Sequence, residues 1–186
     1  MPSVRIQYSD IFFNPKVQEM CVTSSFRCPF YDNTWSCPPA APYLESEIAK
    51  YSEYYLIYTR FNLEEYIKRE KKKHPKRSEL YIKSKLYYEN NEYSNDLDEE
   101  IDAFIAQYDK SYKKLILSSG TCNYCNTQDI EFCSYKTEEP CRFPERMRYS
   151  MEAVGIEVMK TVLNLDVDIK YPSKKYSYKF GLVCFK

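Results

Sequence analysis

Residues 114–125, KLILSSGTCNYC, join a short apolar segment directly to a pair of cysteines. The segment KLILS (114–118) has the length and aliphatic content of a short β-strand. Cys122 and Cys125 follow within a few residues, so we expect them in a loop at the end of that strand. The sequence therefore predicts a sheet whose connecting loops carry the cysteines.

Other segments predict the strands and helices around this strand. Further strands are predicted over 54–62 and 176–185, and helices over 78–88, 98–112 and 150–165. The acidic segment ENNEYSNDLDEE (89–100) is predicted to be a loop. This order of elements favours an α+β, or α/β, two-layer sandwich with a small sheet, helices on one side and irregular cysteine-rich loops that bind metal.

Length and composition indicate one domain, 1–186, with a substantial core, since 44% of the 186 residues are hydrophobic. We divide it into a cysteine loop (20–45), a variable charged middle (63–110), a second cysteine loop (119–148), and a C-terminal helix and strand (150–186). The three glycines argue against a glycine-rich phosphate loop.

Charge and hydropathy limit the classes of partner. Lys+Arg and Asp+Glu are both 27, which gives no general attraction to nucleic acid or to an anionic membrane. The basic run 68–77 is adjacent to an equally acidic segment and is interpreted as a solvated loop or helix end. No apolar run has the length of a membrane span, and MPSVRIQYSDIFF (1–13) lacks the pattern of a secretory signal. We therefore expect a cytoplasmic protein with no membrane partner and no nucleic-acid partner.

The second cysteine loop has the spacing Cys122-x2-Cys125-x7-Cys133-x7-Cys141. A C-x-x-C turn brings two sulfurs to one side of a tight loop, and two more cysteines complete a set of four thiolates. Four thiolates suit either tetrahedral zinc or a cubane iron–sulfur cluster. Structural zinc sites tend to combine two closely spaced pairs, so this pattern indicates metal binding and fits zinc only in its first half.

The first cysteine loop has the spacing Cys21-x6-Cys28-x8-Cys37 in a proline-rich segment that excludes a regular helix. Cys28 and Cys37 each precede proline, which is frequent at cluster ligands. Three cysteines are one short of a closed site. Either a fourth ligand comes from elsewhere, one metal position stays open, or the thiols are simply buried as small hydrophobic groups. A further alternative is an exchange of ligands between the two groups, as in two-cluster ferredoxins.

The remaining cysteine and several charged residues allow two interpretations each. Cys184 has apolar neighbours and is predicted to lie in the core, and disulfides are not expected in a reducing cytosol. Arg142 and Arg148 either balance the charge of a bound cofactor or pair with nearby glutamates (Glu138, Glu139 and Glu145) in a solvated turn. Glu152 is either a general acid or base, or a partner of the helix dipole. No catalytic residue is assigned.

Three segments resemble DUF2284, an uncharacterised family of predicted metal-binding proteins: WSCPP (35–39), GTCNYC (120–125) and CRFPERMRYSMEAVGIEV (141–158). The resemblance runs from about Cys21 to the closing strand and is weak over 65–100. It implies iron–sulfur clusters in a family found mainly in anaerobes, with these ligands: Cys21, Cys28, Cys37, Cys122, Cys125, Cys133 and Cys141. Tyr149 departs from the family, which tends to have proline there, and Cys184 replaces a usual aliphatic residue.

These features predict a metal-binding protein with one or two [4Fe–4S] clusters. It would transfer electrons to a redox partner protein, or perform reductive or sulfur-transfer chemistry on a small molecule at an open iron. Enzymatic use predicts a cavity beside the three-cysteine group, lined by Trp35, Arg142 or Glu152. The alternative is a zinc-stabilised protein-interaction module without redox activity.

Overall fold

A computed structural model describes residues 3–89, 91–109, 112–165, 167, 169 and 175–186, without the side chains of 87–89 and 91–95. Over these residues, the five strands are β1 (Ser3–Ile6), β2 (Glu53–Asn62), β3 (Lys114–Ser118), β4 (Tyr149–Ser150) and β5 (Tyr176–Phe185). They form one sheet in the order β1-β2-β5-β3-β4. The β3–β4 pair is parallel and the other pairs are antiparallel, so the sheet is mixed.

Six α-helices accompany the sheet in the described part of the chain. They are α1 (Lys16–Glu19), α2 (Glu45–Ile48), α3 (Leu63–Lys73), α4 (Glu79–Glu89), α5 (Asn91–Ile105) and α6 (Val158–Leu163). A small sheet with separate helices is an α+β arrangement, as predicted. None of the helices described is long and apolar enough to cross a membrane.

The two faces of the sheet are covered differently. On one face, Ile57 and Val183 pack against α5 through the buried residues Leu97, Ile101 and Phe104. The helices α3 and α4 extend this layer, packing together around a smaller apolar cluster that includes the partly buried Phe61 of β2. The three longest helices thus lie on one side of the sheet.

The opposite face is covered by short elements. Leu56 and Leu182 pack there against Met151, Val154 and Val162, which come from a 3-10 turn and from α6. The side chains of β2 alternate between the two faces, as the pleat requires. The second cover is compact, and it positions the segment around residue 152 next to the first cysteine loop.

The three predicted strands agree closely with β2, β3 and β5, β1 and β4 were not predicted, and the predicted bounds of one loop and two helices are wrong. Residues 91–100 belong to α5, not to a loop, and residue 90 lies outside the described residues. Leu97, Ile101 and Phe104 recur at helical spacing and are 5% exposed or less, so their burial stabilises the helix. The loop was predicted because the segment is acidic and polar. The helix predicted over 98–112 ends at Ile105, and 110–111 lie outside the described residues.

The helix predicted over 150–165 is interrupted. Ser150 ends β4, residues 152–154 form a 3-10 turn, and only Val158–Leu163 form an α-helix. Gly155 breaks the helix because its φ of +92° is left-handed, and the ring of Tyr43 packs where a Cβ would be. The Ser150 hydroxyl accepts the Ala153 N–H at 3.0 Å and so supports the turn.

Candidate metal centre

The four cysteines of the second loop line one cavity. Cys122, Cys125, Cys133 and Cys141 surround a space of about 260 Å³, together with Trp35 and other residues of the first loop. The segment between β3 and β4 carries all four of them without a long regular element. The structure therefore brings together the set that the spacing predicted.

The thiols of this group influence one another. Burial raises the pKa of Cys125, and the neighbouring Cys133, Cys122 and Cys141 raise it further, while the Arg142 guanidinium acts in the opposite direction. Like charges in a partly dehydrated loop disfavour ionisation. The group can hold several thiolates together only if a cation compensates their charge.

Short turns within the chain shape the loop that carries these thiols. The carbonyl of Cys125 accepts the N–H groups of Gln128 and Ile130, both at 3.0 Å, so the chain folds tightly after the C-x-x-C pair. The Arg142 guanidinium donates to the carbonyl of Phe132 at 2.8 Å. Arg142 thereby connects the residue before Cys133 to the residue after Cys141.

The three cysteines of the first loop also lie near one another. The Cys28 N–H donates to the Cys21 carbonyl at 2.8 Å, which closes the loop between them. The pKa of Cys21 is raised to about 11, first by burial and then by Cys28, Cys37 and Glu152. Cys21 therefore lies close enough to the other two cysteines of the first loop, and to Glu152, for their charges to affect its thiol.

Hydrogen bonds join the two cysteine loops. The Cys122 N–H donates to the hydroxyl of Ser36 at 2.9 Å, and the hydroxyls of Thr34 and Thr121 bond to each other at 3.1 Å. Ser36 is 1% exposed, so the hydroxyl that accepts the Cys122 N–H is buried. The Trp35 indole N–H also donates to the Glu139 carbonyl, at 3.2 Å. Sequence reasoning missed these hydroxyls, although each of them lies within three residues of a predicted ligand.

Whether the residues fit a metal depends on the donors present. All eight cysteines, each of which is described, are free thiols. Across the described ranges, no group of three or more His, Cys, Asp or Glu side chains converges on one point as a single metal ion requires. A four-thiol set around a cavity nevertheless has the donor chemistry of a cluster site, in which each thiolate binds a different iron.

A larger cleft of about 1000 Å³ borders the four-cysteine group. It lies between α5, β3 and the segment 144–149, and it shares Thr121, Cys122 and Met147 with the smaller cavity. Neither of these two cavities is lined by Cys21, Cys28 or Cys37. Neither cavity is therefore the one that we expected beside the three-cysteine group. The large cleft lies beside the four-cysteine group instead.

Arg148 has carboxylate partners on α5. Its guanidinium donates to Asp98 at 2.9 Å and also to Asp102, and Asp98 accepts the hydroxyl of Ser118 at 2.7 Å. The predicted pairing with the neighbouring glutamates is therefore wrong for Arg148, because its guanidinium pairs with Asp98 and Asp102 of α5. Its role in cofactor binding stays a prediction, as does that of Arg142.

Cys184 is separate from both groups. It is 0% exposed in the core formed with Tyr54 and Leu182, and burial raises its pKa to about 12. The prediction of a core cysteine is confirmed.

Comparison with known proteins identifies one family. The model of DUF2284, described as a predicted metal-binding protein, matches residues 4–185. The match includes the charged middle and the N-terminal strand, where the motif resemblance was weak or absent. No curated protein and no solved structure matches the chain.

Proposed function

The chain belongs to the DUF2284 family of predicted metal-binding proteins, and from that premise we propose that it binds iron–sulfur clusters and uses them in redox chemistry. The first cluster would be a [4Fe–4S] centre held by Cys122, Cys125, Cys133 and Cys141. A second would be held by the three cysteines of the first loop.

The observation that carries this proposal is the cavity of about 260 Å³ among four thiols. A single zinc ion would draw all four sulfurs to about 2.3 Å from one point. A cubane cluster distributes its thiolate ligands over four irons and needs space between them. A cavity lined by all four cysteines of the second loop favours the cluster.

Charge supports the same assignment. Four thiolates are unfavourable together, as the raised pKa of Cys125 indicates, and the iron of a cluster supplies the compensating positive charge. Lys136 lines the cavity and Arg142 lies near Cys125, so both cations are placed to offset the remaining negative charge.

A path between the two cysteine groups supports electron transfer. Cys37 is bonded to Ser36 along the chain, and the Ser36 hydroxyl accepts the Cys122 N–H at 2.9 Å. One peptide link and one hydrogen bond thus connect a ligand of each proposed cluster. We propose that electrons pass between the two clusters by this route.

The cleft beside Cys122 supports a reaction on a bound molecule. Its volume of about 1000 Å³ is in the range of small-molecule sites. An iron–sulfur cluster supplies single electrons when bound. The residues of this chain would then bind the molecule in the cleft and limit its contact with water. A redox protein docking on the cysteine loops is the other proposed source or acceptor of electrons, and a reducing compartment such as the cytoplasm would keep the thiols available.

The test is the metal content of the anaerobically purified protein, measured with acid-labile sulfide and the visible spectrum. We expect about four irons and four sulfides per chain for one cluster, and about eight of each for two. Cys125→Ser should lose the absorption of one cluster. Cys184→Ala is the matched control and should keep it, because Cys184 lies in the core. One or two zincs with no iron would refute the proposal.

A further inference from the structure

The first cysteine loop begins with a short β-hairpin that places two cysteines opposite each other. Val22 and Arg27 form an antiparallel bridge. One residue further from the turn, the Cys28 N–H donates to the Cys21 carbonyl at 2.8 Å. The bridge and this bond together fix the register of an antiparallel pair, so Cys28 is the residue that lies directly opposite Cys21.

A closed turn holds this register. The Thr23 N–H donates to the Phe26 carbonyl at 2.8 Å, so residues 24 and 25 form a two-residue connection. The Thr23 hydroxyl accepts the Phe26 N–H at 3.1 Å and closes the turn from the other side. A slip by one residue would break these bonds and move one cysteine to the opposite face of the hairpin. The hairpin's own backbone therefore keeps Cys21 opposite Cys28.

The spacing of an antiparallel pair suits a disulfide. Opposite residues at a hydrogen-bonded position have Cα atoms roughly 5.5 Å apart, and their side chains lie on the same face. A disulfide requires Cα atoms about 4.4–6.8 Å apart and Cβ atoms directed to the same side. The positions of Cys21 and Cys28 in the hairpin meet both requirements.

The hairpin is open to small molecules from solvent. Cys21 and Cys28 are partly exposed, and every residue from 22 to 27 is exposed. A low-molecular-weight disulfide can therefore reach the two sulfurs without unfolding the core. In a reducing compartment, the protein disulfides that occur are usually transient and take part in redox reactions. An accessible pair on a surface hairpin fits a disulfide of this reversible kind.

From this geometry we propose that Cys21 and Cys28 form a reversible disulfide, which makes the hairpin a two-electron exchange site for low-molecular-weight thiols. The thiolate of one cysteine attacks the small-molecule disulfide and releases one small thiol. The other cysteine attacks the resulting mixed disulfide, forms the Cys21–Cys28 bond and releases the second small thiol. The two protein thiols are oxidised, their protons pass to the released thiolates, and one small disulfide is reduced to two thiols.

This site goes beyond the proposed clusters and requires no iron. Cys21 and Cys28 cannot bind a cluster while they are bonded to each other, so the disulfide and a cluster at the first group exclude each other. The hairpin would therefore exchange electrons in pairs with thiols whenever the first group holds no metal.

The test equilibrates the full chain, freed of metal with a chelator, in mixtures of oxidised and reduced glutathione. Free thiols are then alkylated, and the tryptic peptides are identified by mass spectrometry. Trypsin cleaves after Arg27, so the disulfide joins peptide 17–27 to peptide 28–50. We expect the equilibrium constant for this link to be on the order of tenfold larger in buffer than in concentrated urea, because the folded hairpin aligns the thiols.

Two variants identify the partner of Cys21. Cys28→Ser should lower the equilibrium constant at least roughly tenfold, since it removes the aligned thiol. Cys37→Ser is the matched control, because Cys37 lies in the same peptide but outside the hairpin, and it should stay within about twofold of the wild type. The inference is overturned if the wild type forms no link, if the link forms equally well in urea, or if Cys37→Ser loses it while Cys28→Ser keeps it.

Discussion

Replacing Ser36 with alanine tests whether the two cysteine loops depend on one hydroxyl. The Ser36 Oγ accepts the Cys122 N–H at 2.9 Å, and the side chain is 1% exposed. In Ser36→Ala the Cys122 N–H loses its acceptor, which lies on an almost fully buried side chain. The first loop is then no longer fixed to the residue that begins the second group.

The expected cost follows from the loss of that bond. A buried donor without a partner destabilises a protein by about 1–3 kcal/mol. For a chain of this size, each kcal/mol lowers Tm by roughly 2–4 °C, so the total decrease is about 2–12 °C. The same loosening should speed the loss of metal to a chelator, because Cys122 is a proposed ligand.

The assay is thermal unfolding of the anaerobically purified protein, followed by circular dichroism and by the visible absorption of the proposed clusters. Ser84→Ala is the control, since Ser84 is exposed on α4 and its replacement should change stability by less than about 0.5 kcal/mol. If Ser36→Ala melts with Ser84→Ala and the wild type, the hydroxyl does not join the loops and the reasoning is wrong.

Three further predictions concern other parts of the fold. Gly155→Ala should lower the free energy of unfolding by about 2–5 kcal/mol, because the φ is left-handed and the new Cβ overlaps the Tyr43 ring. Gly120→Ala, at φ +73° with open space around the new Cβ, should lower it by only about 1–2 kcal/mol, and the Tm values of the two variants test the difference. Arg148→Met should lower the free energy of unfolding in urea by about 1 kcal/mol, because both aspartates that pair with Arg148 are exposed to solvent. The decrease should be smaller at high salt, which screens the ion pairs. Burial raises the pKa of Cys184 from 9.0 to about 12, so above pH 9 the thiol ionises in the unfolded chain first and the free energy of unfolding falls. In urea unfolding measured at rising pH, Cys184→Ala should make this fall less steep.

The parts of the fold that local sequence determines were predictable. The strands β2, β3 and β5 lie within one residue of the predicted ranges, because each is a run of aromatic and β-branched or aliphatic residues. The grouping of the cysteines followed from their spacing, and the core position of Cys184 followed from its apolar neighbours.

The parts of the fold that depend on contacts between distant residues were not predictable from the sequence. The N-terminal half of α5 is acidic, and it is helical because a row of apolar side chains that includes Leu97 packs on the sheet. The break at Gly155 depends on the Tyr43 ring, which comes from more than a hundred residues earlier in the chain. The bond between Ser36 and Cys122 likewise joins two loops that only the folded sheet brings together.

The strand order has a consequence for the way the protein is made. β5 lies between β2 and β3 in the sheet, but it follows both cysteine loops in the chain. During synthesis, every proposed ligand therefore leaves the ribosome before the strand that unites the two halves of the sheet. Pairing between β2 and β5 is distant in sequence, which makes it a slow step in folding. Until β5 is inserted, the thiols of the nascent chain would therefore be open to loading with the proposed clusters, and also to oxidants.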